Sequence, residues 1–446
     1  MRLRKFLLLG FLAVAMPALC QVEPAAEGGN EGPENSLEML IPPIVSGAQY
    51  PSSAGADVRQ NFLTAAATVN AAYVDNILPG DSGTPVSDTT TSVSPRLNYL
   101  LSSPRNQMTL DYDPVFTFYT PTSQLDSVNQ AANGSYLGRL TEHFTLELQG
   151  NYIRTSDVFD VNYPFSSGGL GGTTQPSTPA AIAPFEQQTR NISSAAAAYQ
   201  FSASGMVGGG AVASEVRFPK TTTPTGLYNS DGFDETVFYS RRITRRQYAG
   251  VKYEYDWIQA YLPAANIHTQ VHVALPFYTV FFSKTFSLSA AAGGTYVDTQ
   301  QPSAPDVTSW EPAIVLSMGW QGNRGNVAAS FLRAVMSGGG FVGAYNSVSG
   351  NIVGGWKITK TWTANASFTY GNVEPVATYV GIQYQGGNSI MAQGTVDHSM
   401  GEHFAVECGY QRIQESFEGI QIINANPDSD REFVSISYQL RKSIGR

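Results

Sequence analysis

Residues 352–370, IVGGWKITKTWTANASFTY, decide the fold class of this chain. A tight turn is predicted at residues 359–361, and on both sides of it apolar side chains occupy alternate positions. That period of two, with polar residues between, predicts a β-hairpin with one apolar and one polar face. Trp356 and Trp362 flank the turn, where a strand that crosses a membrane meets the lipid headgroups. The stretch therefore predicts strands that span a lipid bilayer.

The same unit of two alternating strands around a short turn recurs at residues 137–152, 278–292, 310–331 and 396–410. Each strand is predicted to have about ten residues, the length that crosses a bilayer at a tilt. Short turns alternate with long connections along the chain, which is typical of barrels with short periplasmic turns and long extracellular loops. The turns lie near residues 103, 141, 204, 245, 284, 323, 360 and 401, and the connections span 75–88, 120–126, 156–188, 219–234, 258–265, 298–309, 337–346, 371–388 and 414–430.

These connections predict an all-β fold, a transmembrane antiparallel β-barrel of about 18 strands, with 16 as the alternative. An even strand number is expected for a barrel whose N- and C-termini both lie in the periplasm, which is the orientation that we predict. Composition agrees with a membrane barrel, because only 14% of the residues are charged, against about 25% in a typical soluble domain. The net charge of -9 argues against a nucleic-acid partner, which needs a basic surface.

The N-terminus predicts export and divides the chain into three parts. Residues 1–20 are a predicted signal peptide, with a basic start, an apolar run at residues 6–15 and cleavage near Gln21. A lipoprotein anchored at Cys20 is the alternative, which bulky Leu19 disfavours. Residues 21–58 predict a disordered periplasmic lead-in, with a plug or a docking segment as alternatives. Residues 59–446 predict the barrel, in which Cys408 is left without a cysteine partner.

Four further stretches carry a resemblance to a known family. They are PPIVSG at 42–47, AYVDNIL at 72–78, TLDYDP at 109–114 and the end FVSISYQL at 433–440 followed by Gly445 and Arg446. In them the chain resembles the porin-like outer-membrane β-barrel proteins of Acidobacteria, a family without a known substrate. The resemblance covers nearly the whole chain after the signal peptide and implies a barrel in the outer membrane of a Gram-negative bacterium. None of the four motifs is catalytic.

Charged residues on the polar faces of the strands are the candidate site. Contact with lipid would be costly for them, so we expect them to line the lumen and act as a charge filter. Simple solvation of a wet interior explains the same pattern about as well. The predicted pore-lining residues are Asp111, Glu147, Lys252, Glu254 and Glu407, and the predicted aromatic girdle is Phe144, Phe286, Trp320, Trp356, Trp362 and Phe404.

The sequence predicts no enzyme, cofactor or metal site. It has no Gly-x-Ser-x-Gly nucleophile elbow. His268 and His272 are four residues apart, but on a strand that spacing separates them by about 13 Å. His143 and His403 follow glutamates in turns that read alike, which predicts a repeated turn at headgroup level.

Three functions fit these patterns. A porin-like passive channel for small hydrophilic solutes is favoured, since a barrel of about this size leaves an aqueous lumen. An export barrel for polysaccharide with periplasmic machinery, and a closed structural or adhesive barrel that displays its loops, are the alternatives. A secreted soluble β-protein is disfavoured by the aromatic residues near the strand ends. Expected partners are outer-membrane lipid and lipopolysaccharide, the barrel-assembly machinery, and further copies of the chain if it forms a homo-oligomer.

Overall fold

The structure is a computed structural model, and its described part is one antiparallel sheet of eighteen strands. The predicted signal peptide and the predicted lead-in lie outside the described residues. Among the described residues no helix is long and apolar enough to cross a membrane. The described residues are 60–77, 85–103, 105–120, 122–156, 187–218, 227–262, 266–283, 285–301, 305–337, 342–377, 386–418 and 428–444.

Every strand pairs with its two neighbours in the sequence, and the first strand also pairs with the last, so the sheet closes into a barrel. Closure leaves no strand at an edge, which lets a sheet cross a bilayer. The prediction of about 18 strands is confirmed. The strands are β1 Gln60–Val74, β2 Asp88–Ser102, β3 Asn106–Thr120, β4 Ser127–Arg139, β5 Phe144–Thr155, β6 Gln188–Ser202, β7 Gly205–Arg217, β8 Asn229–Thr244, β9 Gln247–Tyr261, β10 Asn266–Phe281, β11 Phe286–Gln300, β12 Val307–Gln321, β13 Gly325–Ser337, β14 Ala344–Lys357, β15 Trp362–Pro375, β16 Gly387–Met400, β17 Phe404–Phe417 and β18 Asp428–Ser443.

The barrel has two different rims. Eight connections of two to four residues lie at one rim, which we call the turn rim, and β1 begins and β18 ends there, because Phe62 pairs with Ser443. The other nine connections lie at the opposite rim, the loop rim; eight of them are longer, and the one between β9 and β10 has four residues. The predicted alternation of turns and loops is therefore confirmed.

One set of alternate positions faces outward and is apolar. Along β12, Trp310 and Trp320 lie ten residues apart with Pro312, Ile314, Leu316 and Met318 at the outward positions between them. Ten residues at about 3.4 Å each and a strand tilt of about 40° give a height of about 26 Å. That height matches the apolar band of about 25 Å in outer-membrane barrels. The two tryptophans therefore mark the two surfaces of the bilayer.

Several of the short turns are closed by hydroxyl side chains. After β14, the backbone N–H groups of Ile358 and Thr359 donate to the Trp362 carbonyl at 2.9 and 3.2 Å. The Thr359 Oγ1 accepts from the backbone N–H groups of Thr361 and Trp362 at 3.2 and 3.1 Å. Thr141 makes the equivalent bonds before β5.

The turn before β17 has a different geometry from the turn before β5, although both contain Glu-His-Phe. Gly401 takes a φ of +76°, a conformation that favours glycine, where the other turn has Thr141. The expected match between the His143 and His403 turns is thus limited to backbone contacts. Each histidine carbonyl accepts from the next strand, His143 from Gln200 and His403 from Gln439.

The strands are longer than the expected ten residues, with twelve to sixteen residues each, and they extend at the loop rim. The segment 219–234, expected as a loop, includes the start of β8 at Asn229, and 414–430 includes the end of β17 and the start of β18. Outside the bilayer no lipid requires an apolar outward face, so the strands continue there without the alternation that reveals them.

Candidate functional site: the barrel lumen

The five predicted pore-lining residues all lie at inward positions of their strands. Asp111 is flanked by outward Leu110 and Tyr112, which are both exposed, while its own side chain is buried. Glu147, Lys252, Glu254 and Glu407 alternate in the same way with outward apolar residues. All five side chains thus lie on the inner surface of the barrel, but their hydrogen-bond and ion-pair partners differ.

Asp111 is neutralised within the wall of the barrel. The Arg96 Nε on the neighbouring strand donates to both carboxylate oxygens at 2.9 and 2.8 Å, and the Arg96 Nη2 lies 2.6 Å from Oδ2. The Asp111 side chain is 8% exposed and that of Arg96 is 53% exposed. The bidentate pair therefore presents a guanidinium, not a carboxylate, to the lumen.

A row of amides lines the inner face of β4 and β5. The Gln149 Nε2 donates to the Glu147 Oε1 at 2.5 Å, and Asn151 donates to Asn133, its direct partner in the ladder. Side chains of this type offer both donors and acceptors to a passing solute.

Four charged side chains are packed on the inner face of β8 and β9. The Lys252 Nζ lies 2.5 Å from the Glu254 Oε2, and Asp234 stands directly opposite Asp256 in the ladder. All but Glu254 are buried, at 6–8% exposure. Two of the four, Lys252 and Glu254, were predicted from the sequence. Asp234 was missed because it falls in the segment expected to be a loop, whereas Asp256 alternates with Lys252 and Glu254 on the predicted strand but was not included in the predicted set.

Glu407 has an acidic neighbour, Asp397, that was not predicted from the sequence. It stands opposite Asp397 in the β16–β17 ladder. The Asn365 Nδ2 donates to the Asp397 Oδ2 at 2.9 Å, and the Ser435 Oγ donates to the Glu407 Oε2 at 3.4 Å. Hydrogen bonds to these neutral donors let two carboxylates lie side by side in a wet wall.

The inner wall has two unlike parts. On β15–β18 and β1–β5 the inward side chains are mostly half-exposed away from the loop rim, and we call this part the open wall. On β8–β12 they are mostly buried, and we call this part the covered wall. Much of the covered wall is apolar and belongs to one cluster with residues of β13 and β14: Ile258, Val271, Val273, Leu275, Phe277, Ala291, Val297, Ala313, Val315, Leu332, Val335, Met336 and Ala344.

At the loop rim, residues from distant connections pack over the covered wall. Val342, which follows β13, and Ala377, which follows β15, form one buried cluster with Ala260 and Ile267 at the ends of β9 and β10. The mouth of the barrel is therefore narrowed on the side of the covered wall.

The predicted girdle residues all lie next to short turns at the turn rim, and Trp356, Trp362 and Phe404 are exposed there. A second aromatic group, at the loop end of β9–β12, was not predicted. In it the Tyr296 and Trp310 rings are 5.2 Å apart, and Trp257 and His268 are 6.1 Å apart.

The two histidines of β10 belong to this outward aromatic surface. His272 lies 2.7 Å from the Tyr253 hydroxyl through Nδ1, and its ring is 5.1 Å from that of Tyr255. Among the described residues, no three His, Cys, Asp or Glu side chains are grouped as metal ligands would be.

No protein-family model matches the chain, and no curated protein matches it. Among solved structures it is similar to OccK2 (OpdF) of Pseudomonas aeruginosa in complex with glucuronate, at 10% identity and a TM-score of 0.40, over 87% of this chain and 98% of that one. OpdQ of the same organism matches at 9% identity and a TM-score of 0.39, over 86% and 98%. The FrpB iron transporter of Neisseria meningitidis matches at 10% and 0.42, over 81% and 65%. Because these identities are low, we assign the fold from the strand pairing of this chain itself. The pairing is that of a closed transmembrane barrel of eighteen antiparallel strands.

Proposed function

We propose that the chain is a passive channel for small hydrophilic solutes in the outer membrane, with both termini in the periplasm. The observation that carries the proposal is the open wall, a half-exposed polar surface inside a closed barrel of eighteen strands. Barrels of sixteen to eighteen strands are wide enough to hold an aqueous channel. No chemical step is needed, because pore width and wall charge decide which solutes pass.

Arg96, Glu147 and Glu407 are the charges that we assign to the filter. They lie on the open wall, where water and a solute reach them, whereas Lys252 and Glu254 lie on the covered wall. Asp111 acts indirectly, since it holds the Arg96 guanidinium in place.

The remaining expectations are part of the same proposal. Lipid and lipopolysaccharide would contact the outward apolar band, and the assembly machinery would insert the barrel. Association into a homo-oligomer is compatible with such a band. Membership of the acidobacterial-type family rests on the sequence resemblance.

Single-channel recording in a planar bilayer tests the proposal. Discrete, long-lived current steps are expected for the refolded protein. Verified insertion without steps would refute a passive channel and favour the closed barrel that displays its loops.

A further inference from the structure

One carboxylate lies on the outer surface of the barrel, inside the apolar band. Glu235 occupies an outward position of β8 and is exposed, between the exposed Phe233 and Val237. It lies four residues from Tyr239, whose ring stacks on that of Phe201 near the turn rim. That spacing places Glu235 about 10 Å from the level of Tyr239 along the barrel axis, near the centre of a band of about 25 Å. Around a single barrel, only lipid tails would surround this charge.

The chain itself does not neutralise Glu235. Among the described residues it has no ion pair and no hydrogen bond. Its two partners in the ladders are Ala211 on β7 and Tyr255 on β9. A charge on the lipid face is costly, because hydrocarbon offers neither hydrogen-bond donors nor a counter-charge. The position therefore calls for a partner outside this copy of the chain.

The surface next to Glu235 is built mostly from small side chains, and we call the outward surface of β5–β8 the contact face. At Gly150 an added Cβ would meet no described atom within 4 Å. On the opposite side of the barrel, the bulky Ile352 and Phe368 lie at a similar depth. Small side chains let two barrels approach closely, which bulky ones prevent. The small side chains of the contact face near the middle of the band are Gly150, Ala195, Ala197, Gly209, Ala211 and Ala213.

A cation lies at the other edge of the contact face. Arg154 is outward and exposed on β5, and its Nη2 donates to the Gln187 Oε1 at 3.0 Å. It has no ion pair among the described residues. The ladders connect Glu235 to Leu148 across β7 and β6, and Arg154 lies six residues beyond Leu148. With strands about 4.8 Å apart and tilted by about 40°, Arg154 is about 24 Å from Glu235 around the barrel and about 6 Å closer to the loop rim. The two charges therefore cannot meet within one copy.

The spacing of these two charges fits a ring of copies. Eighteen strands give a circumference of about 113 Å, so about 24 Å corresponds to about 75° of the barrel. In a closed ring each barrel touches two neighbours, and in a ring of three the two contacts are about 60° apart. The difference moves each charge by only about 2–3 Å from the centre of its contact. One charge of each copy then faces the opposite charge of the next, and the long arginine side chain spans the difference in height.

We propose that the contact face joins copies of this chain into a closed ring of three, in which Glu235 pairs with Arg154 of the partner subunit. The pair removes a carboxylate from lipid and gives both charges a counter-ion where little water screens them. Lipid tails offer no such partner. The ring goes beyond the proposed channel, since each copy keeps its own lumen and the tests below need no ion flow.

Exchange of the two charges tests the contact. Light scattering of the refolded wild type in detergent is expected to give the mass of three copies. Glu235→Arg and Arg154→Glu are each expected to weaken association at least tenfold, because like charges then meet. The double variant is expected to recover most of the association, since the pair is restored in reverse. A wild type with another number of copies, or no recovery in a double variant that shows the heat-dependent shift of a folded barrel, would overturn the proposal.

Glu235→Leu separates contact with another copy from contact with lipid. In lipid, leucine would stabilise the barrel and leave association unchanged. In the ring, the barrel stays folded in urea titration but association is expected to fall at least tenfold, because Arg154 of the partner subunit loses its counter-ion. Ala366→Leu, an outward position at similar depth on β15, is the matched control and is expected to leave association unchanged. Unchanged association of Glu235→Leu would refute the ion pair.

Cross-linking tests which surfaces meet while both charges stay in place. In a Cys408→Ser background, copies with Ala211→Cys are refolded together with copies that carry Tyr152→Cys, since these outward residues lie beside the two charges. A short bismaleimide is expected to link the mixture and neither variant alone, because the two edges of the contact face meet each other and not themselves. Ala366→Cys in place of Tyr152→Cys is expected to give no product. An absence of product in the mixture, or equal product with Ala366→Cys, would contradict the ring.

Discussion

Two adjacent residues of β15 allow the position of the bilayer to be tested by one charge. Ala366 faces outward and is exposed, and Ser367 faces the open wall of the lumen. Ala366 lies four residues from Trp362, the aromatic residue at the turn rim. That spacing places Ala366 about 10 Å from the level of Trp362 along the barrel axis, near the centre of an apolar band of about 25 Å. Arginine at the midplane on the lipid face costs about 2–4 kcal/mol. Ala366→Arg is therefore expected to lower the folding equilibrium constant by about 30- to 700-fold.

The same charge on the neighbouring residue should cost little. Ser367→Arg places the guanidinium in the aqueous lumen, where we expect a change below about 1 kcal/mol. Urea titration of folding into phospholipid vesicles, followed by tryptophan fluorescence and by the heat-dependent shift on a gel, measures both variants. Ala366→Leu controls for side-chain size. Equal losses for the two arginine variants would refute the assignment of lipid and lumen to the two faces of β15.

Three further changes test single contacts. Asp111→Asn releases the Arg96 guanidinium from its carboxylate, so the reversal potential in a salt gradient is expected to move toward anion preference, and Arg96→Gln should move it the opposite way. Thr359→Ala removes the acceptor that closes the β14–β15 turn and is expected to cost about 0.5–1.5 kcal/mol in urea titration, whereas Thr359→Ser should retain most of it. Lys252→Met leaves Glu254 and its acidic neighbours without their buried cation and is expected to cost about 3–5 kcal/mol; a loss below about 1 kcal/mol would show that water screens the cluster.

The architecture could be predicted because the bilayer acts on every strand in the same way. Lipid requires apolar side chains at alternate positions, so a hairpin such as residues 352–370 shows its period in the sequence alone. Turn chemistry adds to this, since Thr359 and Ser283 take part in closing turns at the same rim. Strand number and rim asymmetry follow from these local signals, and both agree with the structure.

The ends of the strands and the partners of the charges could not be predicted. At the loop rim neither face of a strand touches lipid, so Asn229 at the start of β8 carries no period to detect. The sequence also does not determine the register of neighbouring strands. That register places Asp111 beside Arg96 and Asp234 opposite Asp256. Whether an inward charge is free or neutralised depends on that register, because a shift of one residue would exchange the faces.

The lumen combines two surfaces that a simple pore would not need. The open wall carries Arg96, Glu147 and Glu407, and the outward band fixes its place across the bilayer. The covered wall is apolar and is roofed by Val342 and Ala377. Burial of so many aliphatic side chains on one inner side stabilises the barrel but contributes nothing to the passage of a hydrophilic solute.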